Sequence, residues 1–206
     1  MTLLSPTIFI GAGILLLKVT RRSTAALVVV LAALLAPLTA LQAHRGAGPP
    51  DVAIAEDVPQ DLADLARATW DRFTAAFPAR RDCLAPVAVD GAWGLDDRAT
   101  YDPQRRLVRV RIPATAPSLE GSLVHEFAHH LEFTCPAQQG LRRAFRAAQG
   151  LPSKARWFHG AAWEQTPSEQ FAEATTELVL GRRGTHVRVV VTDEAVQVIR
   201  DWATAD

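Results

Sequence analysis

The hydrophobic and polar positions of the chain follow helical spacing in two long stretches. From Gln60 to Phe77, apolar side chains recur at steps of three and four residues, which predicts an amphipathic helix. A second helix is predicted over 117–134, where an apolar stripe repeats at every fourth residue: Leu119, Leu123, Phe127 and Leu131. Each of these helices therefore has one face to bury in a core.

Three further helices are predicted mainly from their end signals. A helix over 137–149 stops at a glycine that is followed by a proline. A helix over 167–181 begins with a proline at its first position, and Thr166 is its N-cap. The last helix of the chain is expected to start after a cap at Thr192 or Asp193.

Short stretches of alternating residues between these helices predict strands. One strand is expected over 85–91, and residues 98–113 have the pattern of a hairpin with Asp102 and Pro103 in its turn. A final strand is expected over 185–191. A hairpin pairs its strands antiparallel, so the pattern predicts a small, mostly antiparallel sheet within an α+β domain.

The first 43 residues form a targeting segment. Lys18, Arg21 and Arg22 precede the apolar run "ALVVVLAALLAPL", and small residues follow it. This arrangement is typical of a secretory signal peptide, and an uncleaved membrane anchor is the alternative. Because basic flanks stay in the cytoplasm, the rest of the chain is expected to be secreted or anchored to the outer face of the cytoplasmic membrane. Residues 44–59, rich in glycine, proline and charge, are interpreted as a linker to a domain over 60–206.

The charge of the exported part argues against nucleic acid as a partner. The whole chain has 22 basic and 22 acidic residues, and three of the basic ones lie in the leader. Residues 44–206 therefore carry a net charge of about −3, which is the opposite of a nucleic-acid-binding surface.

Cys83 and Cys135 are the only cysteines in the sequence. In an exported domain two cysteines usually form a disulfide, so we expect these two to be bridged.

The helix over 117–134 contains the sequence His125-Glu126-Phe127-Ala128-His129. Two histidines one turn apart project from the same helical face and can both bind one Zn²⁺ ion. Glu126 between them is placed to act as the general base toward a zinc-activated water. The alternative is a surface helix that carries two histidines by chance. His130 points about 100° away from His129 and is interpreted as a bystander or as a supporting hydrogen-bond donor.

Two short motifs, "HEFAHH" and "TPSEQFAEATTELV", resemble those of the gluzincin metallopeptidases, and the second is similar to the catalytic domain of anthrax lethal factor. The resemblance covers about residues 118–180. It implies a minimal zincin-like domain in which two helical histidines and a glutamate from a later helix hold one zinc ion. The first glutamate of the second motif, Glu169, is then the third ligand.

Two roles remain open for the acidic residues of this later helix. Glu169 also fits a capping box with Thr166, and in that case Glu173 would be the ligand instead. If Glu169 is the ligand, Glu173 is expected to accept a hydrogen bond from the free ring N–H of a ligand histidine.

Relatives of this type often have a tyrosine about two turns before the ligand glutamate, where it supports the oxyanion. Here that region reads "GAAWEQTP", and the single tyrosine, Tyr101, lies elsewhere in the sequence. His159 is the donor we predict in its place, and a solvated loop histidine is the alternative.

The predicted function is therefore an exported zinc metallopeptidase acting on peptides or proteins. One alternative is a non-catalytic zinc-containing module that binds through Trp157, Phe158 and Trp163, three residues whose simpler interpretation is core packing. Another is a deformylase-like amide hydrolase, because Cys83 precedes His125 by 42 residues within a faintly similar segment.

Overall fold

The computed structural model describes residues 51–182 and 189–205. The predicted leader and most of the predicted strand over 185–191 lie outside these residues, and residues 189–191 have no regular secondary structure. Among the described residues, no helix has both the length and the apolar character needed to cross a bilayer. Four strands occur in them: β1 (Val52–Ile54), β2 (Val87–Trp93), β3 (Ala99–Asp102) and β4 (Leu107–Ile112).

The predicted helices are confirmed, with ends that agree to within one or two residues. The described residues contain α1 (Gln60–Ala76), α2 (Ala116–Thr134), α3 (Gln138–Ala148), α4 (Pro167–Leu180) and α5 (Asp193–Thr204). Of the two caps proposed for α5, Thr192 is the one used, since its hydroxyl accepts a hydrogen bond from the Ala195 backbone N–H at 3.1 Å.

The sheet is mixed, and the prediction that it is mostly antiparallel is wrong. Its strand order is β1-β2-β4-β3. β2 pairs in parallel with both β1 and β4, and only the β3–β4 pair is antiparallel. The predicted hairpin is present as β3 and β4. The other two strand pairs join segments that are distant in the sequence, and a hairpin pattern does not predict their direction. Helix α1 connects β1 to β2 and returns the chain in the same direction, as parallel pairing requires.

One strand lies in the segment that the sequence predicts to be a linker. Val52–Ile54 lies within 44–59, and Val52 is in register with Val87 of β2. A strand of three residues is too short to show a recognisable alternating pattern in the sequence. It forms because its backbone pairs with the edge of β2.

The core lies between the sheet and helices α1 and α2. Trp70 and Phe73 of α1 meet Phe127 of α2 edge to face, with ring centroids 4.8 and 5.7 Å apart. All three side chains are almost fully buried, as are all four members of the apolar stripe predicted for α2. Burial of this stripe fixes the rotation of α2 and turns the histidine face away from the core.

The predicted disulfide is present. Cys83 ends a short 3-10 helix, Pro78–Cys83, and is bonded to Cys135, the residue that caps the C-terminus of α2. The bridge closes a loop of 52 residues and ties the segment before β2 to the end of α2.

Candidate metal centre

The polar face of α2 forms one side of a cavity of about 580 Å³. Helix α4, the edge strand β3 and the loop between α3 and α4 form the other sides. The residues that α2 contributes lie on one helical face: Gly121, Ser122, His125, Glu126, His129 and Phe133.

Three atoms that could bind a metal converge at the centre of this cavity. They are Nε2 of His125, Nε2 of His129 and Oε2 of Glu169. The two nitrogens are 3.2 Å apart, and the carboxylate oxygen lies 3.0 Å from the first and 3.3 Å from the second. The histidines are four positions apart along α2, and α4 packs beside α2 so that its first turn brings Glu169 to them.

Each histidine is oriented by a second carboxylate on its other ring nitrogen. Glu173 of α4 lies 3.0 Å from Nδ1 of His125, which is the contact expected for it. Glu132, on α2 itself, lies 2.8 Å from Nδ1 of His129. A carboxylate only accepts, so each Nδ1 carries a proton, and a metal ion at the centre would replace any proton on Nε2 and receive its lone pair.

Glu132 is a site residue that the sequence reasoning missed. Its side chain is buried, and it also accepts hydrogen bonds from Trp157 Nε1 at 2.6 Å and Ser168 Oγ at 2.7 Å. A buried carboxylate with three donors is fully satisfied and therefore rigid. The spacing could have indicated it, because Glu132 follows His129 by three residues on the same helical face.

The donor set fits a zinc ion. Two imidazoles and one carboxylate are a ligand combination that Zn²⁺ accepts, with bonds of about 2.0–2.1 Å in a tetrahedral arrangement. Ligand atoms of such a site stand about 3.3–3.4 Å apart. The three separations observed here lie close to that value.

Without a metal the three groups share protons instead. Burial lowers the pKa of His125, but the hydrogen bonds with Glu169 and Glu173 outweigh it and raise the pKa to about 9. Burial likewise raises the pKa of Glu169, whereas its contacts with His125 and His129 outweigh this and bring the pKa down to about 2. The centre therefore attracts positive charge, which a divalent cation supplies more fully than protons do.

Glu126 lines the same cavity but is not part of the cluster. Its side chain is buried, and this burial is the main reason that the pKa of Glu126 is raised. A carboxyl with a raised pKa is a better proton acceptor than an ordinary one, which suits a general base.

The alternatives to Glu169 as the metal-binding residue are not supported. Thr166 makes no side-chain cap on α4, so the capping box is not formed, and Glu173 is directed at the outer nitrogen of His125. Cys83 is bonded to Cys135, which removes the thiolate that the deformylase-like hypothesis needs.

Tyr101 lies in the cavity wall although it is distant in sequence from the motifs. Its hydroxyl is 2.9 Å from Nδ1 of His130, and Nε2 of His130 is 2.8 Å from the Ala85 carbonyl. A carbonyl only accepts, and burial lowers the pKa of His130 to about 4, so the ring is neutral and its Nδ1 is the acceptor. The Tyr101 hydroxyl therefore donates to His130, and burial raises the pKa of Tyr101 to about 12.

His159 does not lie where the prediction required it. Its side chain is exposed and is not part of the cavity lining. Its backbone N–H donates to the Arg156 carbonyl in a turn, and the neighbouring Phe158 lines the cavity.

The three aromatic residues of this loop have different environments. Trp157 is buried and donates to Glu132, as core packing predicts. Phe158 and Trp163 remain 41% and 44% exposed and line the cavity. Trp163 stacks on the ring of His125 at a centroid distance of 5.8 Å.

No protein-family model, curated protein sequence or solved structure matches this chain. The functional assignment must therefore rest on the geometry and chemistry of the cavity itself.

Proposed function

We propose that the chain is an exported zinc metallopeptidase that hydrolyses peptide bonds. The observation that carries this proposal is the convergence of His125 Nε2, His129 Nε2 and Glu169 Oε2 in a cavity that also contains Glu126. The Cys83–Cys135 disulfide supports export, because such bonds persist in oxidising compartments.

His125, His129 and Glu169 would hold the zinc ion, and Glu132 and Glu173 would fix the two imidazoles in the tautomer that leaves Nε2 free. A bound Zn²⁺ ion supplies Lewis acidity, which polarises a carbonyl group and lowers the pKa of a water molecule toward neutrality. Glu126 takes the proton of the attacking water at its carboxylate and afterwards passes it to the leaving amine.

The volume of the cavity is compatible with a bound substrate. Its volume of about 580 Å³ lies within the ordinary range of ligand sites, about 300–1,000 Å³. Residues of the edge strand β3 and of the loop with Phe158 and Trp163 line the cavity together with the cluster.

The test is metal analysis combined with hydrolysis of casein, with and without a chelator. We expect one zinc ion per chain, and activity that is lost on chelation and restored by zinc. Glu169→Ala should lose most of its zinc affinity, whereas Glu177→Ala, two turns further along α4 and outside the cavity lining, should bind zinc normally. A protein that binds no zinc, or a Glu169→Ala variant that binds it fully, would refute the assignment.

One observation favours a second candidate, a zinc-containing module that binds without cutting. His159 lies outside the cavity lining, and the Tyr101 hydroxyl is directed at His130, so neither is positioned to stabilise an oxyanion. The same experiment separates the two functions, because a binding module would hold zinc and leave casein intact.

A further inference from the structure

A second surface in the cavity adjoins the metal cluster. Phe133 follows His129 by four residues, so the two side chains lie on the same face of α2 and are separated by about 6 Å along the helix axis. Phe133 forms a row with Tyr101 of β3 and Phe158 of the loop. We refer to these three residues as the aromatic wall.

The rings of the aromatic wall contact each other but remain open to solvent. Phe133 and Phe158 are stacked, with centroids 5.2 Å apart and planes inclined by 19°, and Tyr101 lies 6.0 Å from Phe133. Phe133 is 51% exposed and Phe158 is 41% exposed. Adjacent exposed aromatic rings in a concave site mark a place where an apolar group is received.

Neighbouring residues hold the aromatic wall in place. The guanidinium of Arg142 lies 5.1 Å from the Phe158 ring and 4.9 Å from the buried Trp157 ring. Gly160 lets the loop fold tightly, since a Cβ atom there would come within 2.7 Å of the Thr166 backbone nitrogen. Rings that are already ordered lose little conformational entropy when a ligand binds.

From this placement we propose that the aromatic wall receives an aromatic or large aliphatic side chain of the substrate, from a residue that flanks the bond to be cut. The inference rests on the proposed peptidase function and specifies its substrate. Consecutive residues of an extended peptide advance by about 3.3–3.6 Å, so a side chain within two residues of the cluster reaches the wall.

Acidic side chains fit the aromatic wall poorly. The hydroxyl hydrogen of Tyr101 is directed at His130, and Phe133 and Phe158 offer only hydrocarbon. A carboxylate placed there would lose its water without gaining a hydrogen-bond donor from these three residues, which is unfavourable. An apolar side chain gains the burial of its own surface and of the exposed rings.

The experiment uses the full zinc-loaded chain and one peptide whose single cleavage site has been located by mass spectrometry. Phe, Leu, Ala and Asp are placed in turn on each side of the cut bond, and kcat/KM is measured for each peptide. We expect Phe at one flanking position to exceed Ala about 10- to 100-fold, the range that burial of one large apolar side chain provides, with Asp below Ala.

Variants then locate the preference. Phe158→Ala and Phe133→Ala should each reduce the Phe-to-Ala ratio by about tenfold, while Phe158→Leu should keep most of it. Trp93→Ala removes an aromatic residue that is 75% exposed but outside the cavity lining, and it should leave the ratio unchanged. A ratio near one in the unsubstituted chain, or a ratio that survives both Phe→Ala changes, overturns the inference.

Failure of the proposed function is distinguishable from failure of this inference. If no peptide is cut, the peptidase assignment fails, and calorimetric binding of the same Phe and Ala peptides to the zinc-loaded chain tests the wall directly. Tighter binding of the Phe peptide that is lost in Phe158→Ala supports the aromatic wall. Equal binding of the two peptides refutes it.

Discussion

The metal cluster and the aromatic wall lie one turn apart on α2, yet they differ in how their side chains are held. In the cluster every ring nitrogen of His125 and His129 contacts a carboxylate within 3.3 Å. In the wall, Phe133 and Phe158 are held by contacts between rings and by the Arg142 guanidinium over Phe158, and both are about half exposed.

This difference determines what a substitution does. Removal of one partner from a buried polar network leaves the other unsatisfied, so changes in the cluster should affect metal binding and proton transfer strongly. Truncation of a half-exposed ring leaves no buried polar atom behind, so changes in the wall should alter the choice of substrate while folding and zinc affinity persist. Substitutions in the cluster are thus expected to change the rate of hydrolysis, whereas substitutions in the wall are expected to change which substrates are preferred.

The largest effect within this comparison is expected from Glu126→Gln. The amide keeps the shape of the side chain but cannot take a proton from water, so kcat should fall by about 10²- to 10⁴-fold. Zinc content should stay at the level of the unsubstituted chain, because Glu126 is not one of the three residues of the cluster. Steady-state hydrolysis and metal analysis on the same sample provide the two measurements.

Phe158→Leu is the matched control for Glu126→Gln, since it changes the wall and leaves the base in place. Its kcat on the best Phe peptide should stay within a few-fold of the unsubstituted chain. If the activity of Glu126→Gln stayed within a few-fold of the unsubstituted chain, another group would be the base. The metal cluster and its neighbour Glu126 would then not be the part of the cavity that determines the rate.

A smaller effect is expected when the supports of the two histidines are changed. Glu132→Gln and Glu173→Gln each weaken a hydrogen bond that orients one imidazole, and such losses typically cost about 10- to 100-fold in metal affinity. Glu132→Gln should be the more damaging, because Glu132 accepts from Trp157 and Ser168 in addition to His129. Competition with a fluorescent zinc chelator measures both affinities.

A matched control for this pair is Glu177→Gln on the same face of α4, which should bind zinc like the unsubstituted chain. If Glu173→Gln proved more damaging than Glu132→Gln, the buried contacts of Glu132 would matter less than the link between α2 and α4.

The cluster was more predictable from the sequence than the wall because local periodicity fixes it. His125 and His129 share a face through the helical repeat, and the buried stripe from Leu119 to Leu131 determines which way that face points. Glu169 came from the resemblance of a second motif, and the structure brings it to the histidines.

The wall and the sheet depend on contacts between distant segments, which no local pattern encodes. Tyr101 and Phe133 are far apart in sequence and meet because β3 is the edge strand of the sheet beside α2. The parallel pairing of β1 with β2 is also determined by tertiary contacts, because a strand of only three residues has little local preference of its own. The position of His159 likewise depends on distant contacts of its loop, such as the hydrogen bond from the Ser168 backbone N–H to the Trp157 carbonyl.

The smallest expected effect concerns the pH dependence of the metal-free chain. The pKa of His125 is about 9 in the folded state, above its ordinary value of 6.5, and the pKa of His129 is raised as well. A raised histidine pKa stabilises the fold fully below the unfolded pKa, and this contribution disappears as the pH rises through the folded pKa. After treatment with a chelator, the thermal midpoint should therefore fall by a few degrees between about pH 6.5 and 9.

The zinc-loaded chain should show little of this decline, because the cation takes the place of the shared protons and the lowered pKa of Glu169 matters only under acidic conditions. Glu173→Gln removes one carboxylate that raises the pKa of His125, so its metal-free form should show a shallower decline. Phe158→Leu changes the wall alone and should keep the full decline. If the thermal midpoint changed equally little with pH in the metal-free and zinc-loaded chains, the histidines would not exchange protons for metal. The cluster would then not differ from the wall in its dependence on charge.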